Sequence, residues 1–436
     1  MTNINTQLPG GFKDYLPEDS RKREYLIEKI IKTFESFGFS LLETPAVESL
    51  ETLTGGESNT SKQIFEINQT LSDKDSKMGL RFDLTVPLAR VISNYNNEID
   101  LPAKLYRLGR VWRGEKSQAG RYREFLQCDA DIIGSSSPEA DAEMLSLIYK
   151  TLKNIGLDNF KIKVSSRAIL NEFFNSINIS NNKFNNILVE LDKLDKLSWD
   201  EVKKNLIVQE IKEEKIELIK DFISKDLTSV LEEFKDQKKI VETTNDLMSV
   251  IKSANDLGVE DKFIEVDLSI ARGLDYYTGP IFETVLTDNL DLGSVFSGGR
   301  YDNLLEKFTG SKIPATGVSL GFDRLFDGIK NMDLFNNIKN SNVLVLNFEE
   351  SCRKDYLRII KNLREANIRS SLYLGQEDNL KGQLAYAVKC EIPIVLILGK
   401  KEKENKVIQV KDMDNRTQEL VKEEELIDKI KVILSN

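Results

Sequence analysis

Arg121-Tyr-Arg-Glu-Phe-Leu-Gln-Cys-Asp-Ala-Asp131 is the stretch from which the fold is read. Its composition predicts a long strand over 121–133. In a strand, alternate side chains share a face. One face then carries Arg121, Arg123, Phe125, Gln127, Asp129 and Asp131; the other carries Tyr122, Glu124, Leu126, Cys128 and Ala130. The first set is too polar for a core face. It offers cations and an aromatic plate at one end, an amide in the middle and carboxylates at the other. A ligand with an anionic part, an aromatic base and a cationic or hydrogen-bond-donating part would match it. Read alone, the strand fits a solvated edge with incidental charges equally well.

Outward from this strand, Gly114 to Gly120 reads as a polar loop and Leu105 to Arg113 as the preceding strand, so the two form an antiparallel hairpin. Arg113 would point across the loop. Arg81 to Thr85 reads as another strand, with Arg81, Asp83 and Thr85 on one face. Ala271 to Gly279 lies between two strands, its glycines permitting tight backbone geometry. Ser297-Gly-Gly-Arg-Tyr-Asp302 reads as a second glycine-rich turn, and Gly317 to Arg324 as a strand running into a helix. Any one of these glycine segments is, by itself, an ordinary tight loop.

The rest of the chain frames them. Helical spacing of Leu26, Ile27, Ile30, Ile31, Phe34 and Phe37 predicts an amphipathic helix over 21–37, followed by a strand over 39–44 that Pro45 stops. From about Ile169 to Leu257 the sequence is rich in Lys, Glu, Asp, Asn and Leu, and lacks Gly and Pro. It reads as a helical insertion, charged outside and apolar at helical spacing. Strands return at 263–269, 281–286 and 315–320. Residues 330–341, with four asparagines, read as a linker. Beyond it, strand and helix alternate through 343–398, as in a small α/β domain with a largely parallel sheet.

Composition removes several chemistries. The 436 residues are 40% hydrophobic and 30% charged, ordinary for a globular chain with two or three domains. The densest apolar run, Ile392 to Leu398, is far too short to cross a bilayer, and the polar start lacks a signal core, so a cytoplasmic location is expected. Cys128, Cys352 and Cys390 are isolated, which supports neither a disulfide framework nor a thiolate zinc site. A net charge of −10 disfavours indiscriminate nucleic-acid coating. The histidine count is zero. That excludes an imidazole base or metal ligand, and leaves no side chain whose unperturbed pKa lies near neutrality.

Arg110-Val-Trp-Arg-Gly-Glu115 followed by Gly120-Arg-Tyr-Arg-Glu-Phe125 resembles the second signature motif of class II aminoacyl-tRNA synthetases. Gly317 to Arg324 resembles their third, and the helix and strand ending at Pro45 the first, dimer-forming one. Arg272-Gly-Leu-Asp-Tyr-Tyr-Thr-Gly279, with Ser297 to Asp302, is similar to the motifs peculiar to histidyl-tRNA synthetases. Gln383 to Ala387 and Ile392 to Gly399 resemble that family's anticodon-binding domain.

The resemblance implies an α+β protein: a class II antiparallel-sheet catalytic domain over 1–329 with the helical insertion at about 169–257, a linker over 330–341, and an α/β anticodon-binding domain over 342–436. It implies a homodimer that activates L-histidine with ATP and passes it to tRNA(His), with Mg²⁺ accompanying ATP and no protein-bound structural metal. Arg113 and Arg272 would be catalytic, and would also bind histidine: Arg113 would hold the α-phosphate and the substrate carboxylate, while Arg272 stabilises phosphate charge. Glu115 and Arg121 would face the nucleotide, with adenine between Phe125 and Arg324. Asp83, Thr85 and Gln127 would bind the α-amino end, with Leu84 in the same histidine-binding set. Asp131 and Tyr277, with Tyr276 adjacent, would read the imidazole. The loop from Gly114 to Gly120 would reach the tRNA acceptor end. Position 131 is Asp where many bacterial members have Glu, and Leu126 stands where His or Tyr is common.

Adenylate formation needs positioning and charge neutralisation more than covalent help, and the attacking carboxylate is already ionised, so a chain without histidine can perform it. Three other readings remain at this point. The first is a histidine-sensing regulatory subunit of ATP phosphoribosyltransferase, against which the retained arginines and the apparent anticodon domain argue. The others are a sensing pseudo-synthetase domain of a larger regulator and a different class II synthetase.

Overall fold

A computed structural model describes residues 4–55, 63–68, 77–115, 122–270, 277–336, 338 and 341–435. The chain divides into two compact units. One holds the N-terminal residues to Asp14 and Leu26–Met332; the other holds Tyr15–Tyr25 and Asp333 to the C-terminus. Among the described residues, no helix is long and apolar enough to cross a membrane.

The first unit contains β1 (Ser40–Leu41), β2 (Val47–Ser49), β3 (Glu66–Ile67), β4 (Met78–Leu80), β5 (Ala103–Trp112), β6 (Glu124–Ile133), β7 (Phe160–Ser166), β8 (Ile264–Val266), β9 (Pro280–Leu286), β10 (Ser294–Arg300) and β11 (Ala315–Gly321). Eight of them form one sheet in the order β1-β5-β6-β11-β10-β9-β7-β8, and β2-β4-β3 form a small second sheet. Within the large sheet only the β1/β5 and β7/β8 pairs are parallel. The hairpin of β5 and β6 pairs without a break from Ala103 opposite Ile133 to Trp112 opposite Glu124. The helix Thr85–Asn94 packs its Leu88, Ala89 and Ile92 with Ile133, Ala315, Tyr301 and Leu305. That packing also gathers Tyr277 against the same cluster.

Between β7 and β8 the chain is helical, from Arg167–Ser176 through Lys238–Asp256. Its apolar positions turn inward at helical spacing: Ile216, Ile219 and Phe222 are buried from one helix. Phe222 stacks on Phe173 with ring centroids 3.8 Å apart.

Three expectations are corrected. Arg81 to Thr85 is not a strand. The strand ends at Leu80, the chain bends, and a helix starts at Thr85. The reason is local: Asp83, one residue before the N-cap Leu84, accepts the Val86 N–H through Oδ1 at 3.0 Å, satisfying one of the first-turn donors that the helix itself leaves unpaired, and Pro87 in that turn has no N–H to satisfy. Arg81 turns away to the carbonyls of Thr44 and Arg110. Ser297 to Arg300 is not a turn but the end of β10. Its glycines serve close strand approach: a Cβ on Gly298 would lie 2.1 Å from the Gly317 carbonyl oxygen. The strand expected over 39–44 shrinks to Ser40–Leu41, although the Leu42 N–H still reaches the Tyr106 carbonyl.

The second unit contains β12 (Val343–Val345), β13 (Ser370–Leu372), β14 (Ile394–Ile397), β15 (Val407–Asp412) and β16 (Thr417–Lys422), in the order β13-β12-β14-β15-β16. The first three are parallel and β15/β16 adds an antiparallel hairpin. Strand alternation splits the core in two. Val343, Val345, Ile394 and Leu396 pack with Tyr356, Ile359 and Leu363 of one helix and Ile430 of another. Leu344, Leu346, Val395 and Ile397 pack with Ala387 on the opposite face. Burial on both faces explains the unbroken apolar run at 394–398.

Candidate active site

The cavity lies over β6, β10 and β11 and holds about 450 Å³. From β6, the odd positions Phe125, Gln127, Asp129 and Asp131 face into it, as the period of two requires. The alternation fails before Glu124, where the strand begins: Tyr122 lines the cavity and Arg123 does not. Instead the Arg123 Nε donates to the Glu115 carbonyl at 3.1 Å.

Glycine makes the room. A Cβ at Gly317, directly across from Asp131 in the β6/β11 register, would sit 1.9 Å from Asp131 Oδ1. Asp131 accepts from Arg107 through Oδ2 and from the Tyr301 hydroxyl through Oδ1. Beside it the floor offers acceptors with nothing to accept from: Asp83 Oδ2, Gln127 Oε1 and Asp129 Oδ1 are buried and lack a hydrogen-bond partner. Gln127 spends its Nε2 on Ser319 Oγ at 3.1 Å. Such orphaned acceptors, all on residues of one cavity, define a place for a multiply donating, cationic group. Burial pushes the Asp83 carboxyl up, with Arg113 and Arg107 opposing. Burial also drives Asp129 up to about 7, against the Arg107 charge and a Ser319 hydrogen bond. A side chain that titrates near neutrality therefore exists; composition did not reveal it because its cause is desolvation.

The other end is cationic and aromatic. Arg113 Nε donates to the Phe82 carbonyl at 3.0 Å, and its guanidinium lies 5.1 Å from the Phe125 ring centroid. Glu115 and Arg324 also line this cavity, and Arg324 Nη1 donates to the Ser294 carbonyl at 2.5 Å. Next to it, the buried Asp323 accepts the Leu126 N–H at 2.6 Å, fixing β6 to the start of the helix Phe322–Ile329.

Of the expected residues, Asp83, Thr85, Arg113, Glu115, Phe125, Gln127, Asp131, Tyr277 and Arg324 meet in this one cavity. Leu84 does not; its side chain is 1% exposed, in the core. Arg121, Arg272, Tyr276 and most of the loop from Gly114 to Gly120 lie outside the described residues. The period of two had already put Asp129 on the ligand-matching face of β6, without a role of its own; sequence reasoning gave no site role to Arg107, Tyr301, Ser319 or Asp323. Arg107 had a faint signal, an arginine on the same strand face as Leu105 and Val111. The others depend on register between distant strands.

A mostly antiparallel sheet with a motif-two hairpin, a strand running into a helix at Arg324 and a cationic–aromatic cavity defines a class II aminoacyl-tRNA synthetase catalytic domain, here accompanied by an α/β domain. The family model "Histidyl-tRNA synthetase" matches residues 11–325, and the model "Anticodon binding domain" matches 342–433. The chain is 39% identical over 454 residues to a histidine–tRNA ligase of Treponema denticola, covering 98% of each. It is 37% identical over 433 residues to one of Clostridium tetani, covering 97% of each. The crystal structure of histidyl-tRNA synthetase from Nostoc sp. PCC 7120 superimposes with a TM-score of 0.89 at 32% identity, covering 99% of this chain and 100% of that one. The chain belongs to the histidyl-tRNA synthetase family. Its activity is histidine–tRNA ligation, an aminoacyl-tRNA synthetase reaction.

Proposed function

We propose that the single cavity binds L-histidine at its acceptor-rich end and ATP, entering as the Mg²⁺ complex, at its cationic–aromatic end. The observation that carries this reading is the trio of unpartnered acceptors on Asp83, Gln127 and Asp129, opposite the Arg113–Phe125 stack in the same cavity. Asp83, Thr85 and Gln127 take the α-ammonium group; Leu84 supports them from the core. Asp131 accepts from the imidazole, with Tyr277 and Tyr276 beside it. Adenine stacks on Phe125, with Arg324 on its other face, and Glu115 and Arg121 face the nucleotide.

Arg113 bridges the substrate carboxylate and the α-phosphate. A histidine carboxylate oxygen bonds to the α-phosphorus, the bond to the β-phosphate oxygen breaks, and pyrophosphate leaves. Arg113 and Arg272 neutralise the growing negative charge; the motif match supports Arg272 in this role. Arginine suits it, being permanently charged and bidentate. The adenylate then passes to the 3′ end of tRNA(His), with release of AMP. The reading extends to a cytoplasmic homodimer with a catalytic domain over 1–329 and a linker over 330–341, and to an anticodon-reading role for residues 342–436. Amino-acid-dependent ATP–pyrophosphate exchange with all twenty amino acids is the test. Stimulation by histidine alone is expected; no exchange, or exchange driven by another amino acid, refutes the assignment.

A further inference from the structure

Under the cavity floor lies a charge arrangement that this reaction scheme leaves unused. Arg107 on β5 stands directly across from Asp129 on β6. Its guanidinium pairs with Asp131 and lies 3.7 Å from Asp129 Oδ2. Arg107 is 2% exposed, and Asp129 and Asp131 are 3% each. One buried guanidinium thus serves two carboxylates. The remaining neighbours carry both signs, Arg113 facing Asp83 among them. Asp83, from the bend before Thr85, adds a third carboxylate within electrostatic reach. Arg81, from the same bend, also interacts electrostatically with Asp129. Ser319, the register partner on β11, hydrogen-bonds the Asp129 carboxyl, and neutral Gln127 shares its strand face. Asp131 has both oxygens engaged, by Arg107 and Tyr301. Asp129 keeps Oδ1 without a partner, on a residue lining the cavity.

We propose that Asp129 is a further residue of the amino-acid subsite that pairs with the cationic end of the entering substrate, and that Arg107 is the positioning residue that claims Asp131 and leaves Asp129 free to respond. This rests on reading the acceptor-rich end as the histidine subsite. Before substrate arrives, burial holds Asp129 at about 7, so its carboxyl keeps a proton through much of the neutral range. An ammonium group arriving at Oδ1 favours the ionised form. The proton departs to solvent and the substrate N–H donates to the carboxylate. If only the ionised form binds histidine, affinity gains about tenfold between pH 6 and pH 8 from this group alone.

The substrate's imidazole titrates in the same window, so the test is a difference. Calorimetric histidine binding to the full-length protein, in two buffers of unlike ionisation heat, gives the protons exchanged per histidine bound. Near pH 7, wild type should release more protons than Asp129→Asn, and its affinity should gain about tenfold more than the variant's from pH 6 to 8. Arg107→Lys should move the midpoint of that extra dependence. The double variant Arg107→Gln/Asp129→Asn, which removes one charge of each sign, should lose the extra dependence. Equal proton counts and parallel pH profiles for wild type and Asp129→Asn overturn the proposal. Asp131→Ala tests the underlying reading separately. An unchanged histidine KM there sinks the subsite itself, whereas a raised KM alongside a silent Asp129→Asn sinks only the role of Asp129.

Discussion

Consider Gly317→Ala. The backbone at 317 has no left-handed strain, so the change adds one methyl group and nothing else to the local conformational cost. That methyl carbon would lie 1.9 Å from Asp131 Oδ1 and 3.0 Å from the Ala130 carbonyl oxygen. The carbonyl belongs to β6 in mid-sheet, so the Asp131 carboxylate is what must move. Moving it breaks its hydrogen bond from Tyr301 and shifts the acceptor offered to the imidazole. A lost hydrogen bond to a charged group costs about 1.5–3 kcal/mol, which corresponds to roughly a tenfold to 150-fold rise in the histidine KM. The ATP KM should change little, because Phe125, Arg113 and Arg324 bind at the other end of the cavity. ATP–pyrophosphate exchange, with histidine and then ATP varied, measures both. Gly10→Ala is the control, since a Cβ there meets nothing within 4 Å. A Gly317→Ala enzyme that melts with wild type and keeps a wild-type histidine KM would refute the placement of the imidazole beside Asp131.

Three further outcomes are expected. Asp323→Ala leaves the Leu126 N–H without its acceptor; an unpaired donor at a buried site costs about 1–3 kcal/mol, so Tm should fall by several degrees and kcat should drop, whereas an unchanged melt argues against the anchor. Arg113→Lys keeps the charge but loses the planar fork, so kcat for exchange should fall at least tenfold even at saturating substrates, and a wild-type kcat contradicts the bridging role. For Asp129 the folded-state value is raised, so the stability it contributes is present below the ordinary carboxylate range and lost as pH rises through about 7. In the absence of substrate, Asp129→Asn should therefore gain Tm relative to wild type on going from pH 5 to pH 8, and a pH-independent difference rules out the titration.

The β6 strand was the most legible part of the site because one period-2 pattern carries four cavity residues. It misled only where it was extended past the strand's first residue, exchanging Arg123 for Tyr122. Arg81 to Thr85 looked like a strand for a related reason: alternation over five residues cannot be told from a bend followed by a helix start, and the Asp83 acceptor for the Val86 N–H, with Pro87 in the first turn, decided it. Ser297 to Arg300 looked like a turn because glycine is common in turns. Here it permits β10 to approach β11, a requirement set by a strand that the local sequence does not contain. The parallel part of the C-terminal sheet was readable from its alternation with helices, whereas the β15/β16 hairpin, with its exposed and charged strand Thr417–Lys422, carries little apolar pattern. Arg107, Tyr301 and Asp323 were out of reach because each acts across strand register on a residue far away in sequence.

The grip of Asp323 on the Leu126 N–H also bears on redesign of the substrate range. Leu126 lies between Phe125, assigned to adenine, and Gln127, assigned to the amino acid, while Asp323 adjoins Arg324. One backbone peg thus aligns both halves of the cavity, and a change near it alters the fit of nucleotide and amino acid together. Positions farther along the strand, at 129 and 131, are not pegged this way and can be varied without retuning the nucleotide end. A library seeking a new amino-acid preference should therefore diversify 129, 131 and their cross-strand partners 107 and 317, and hold 125, 127 and 323 fixed.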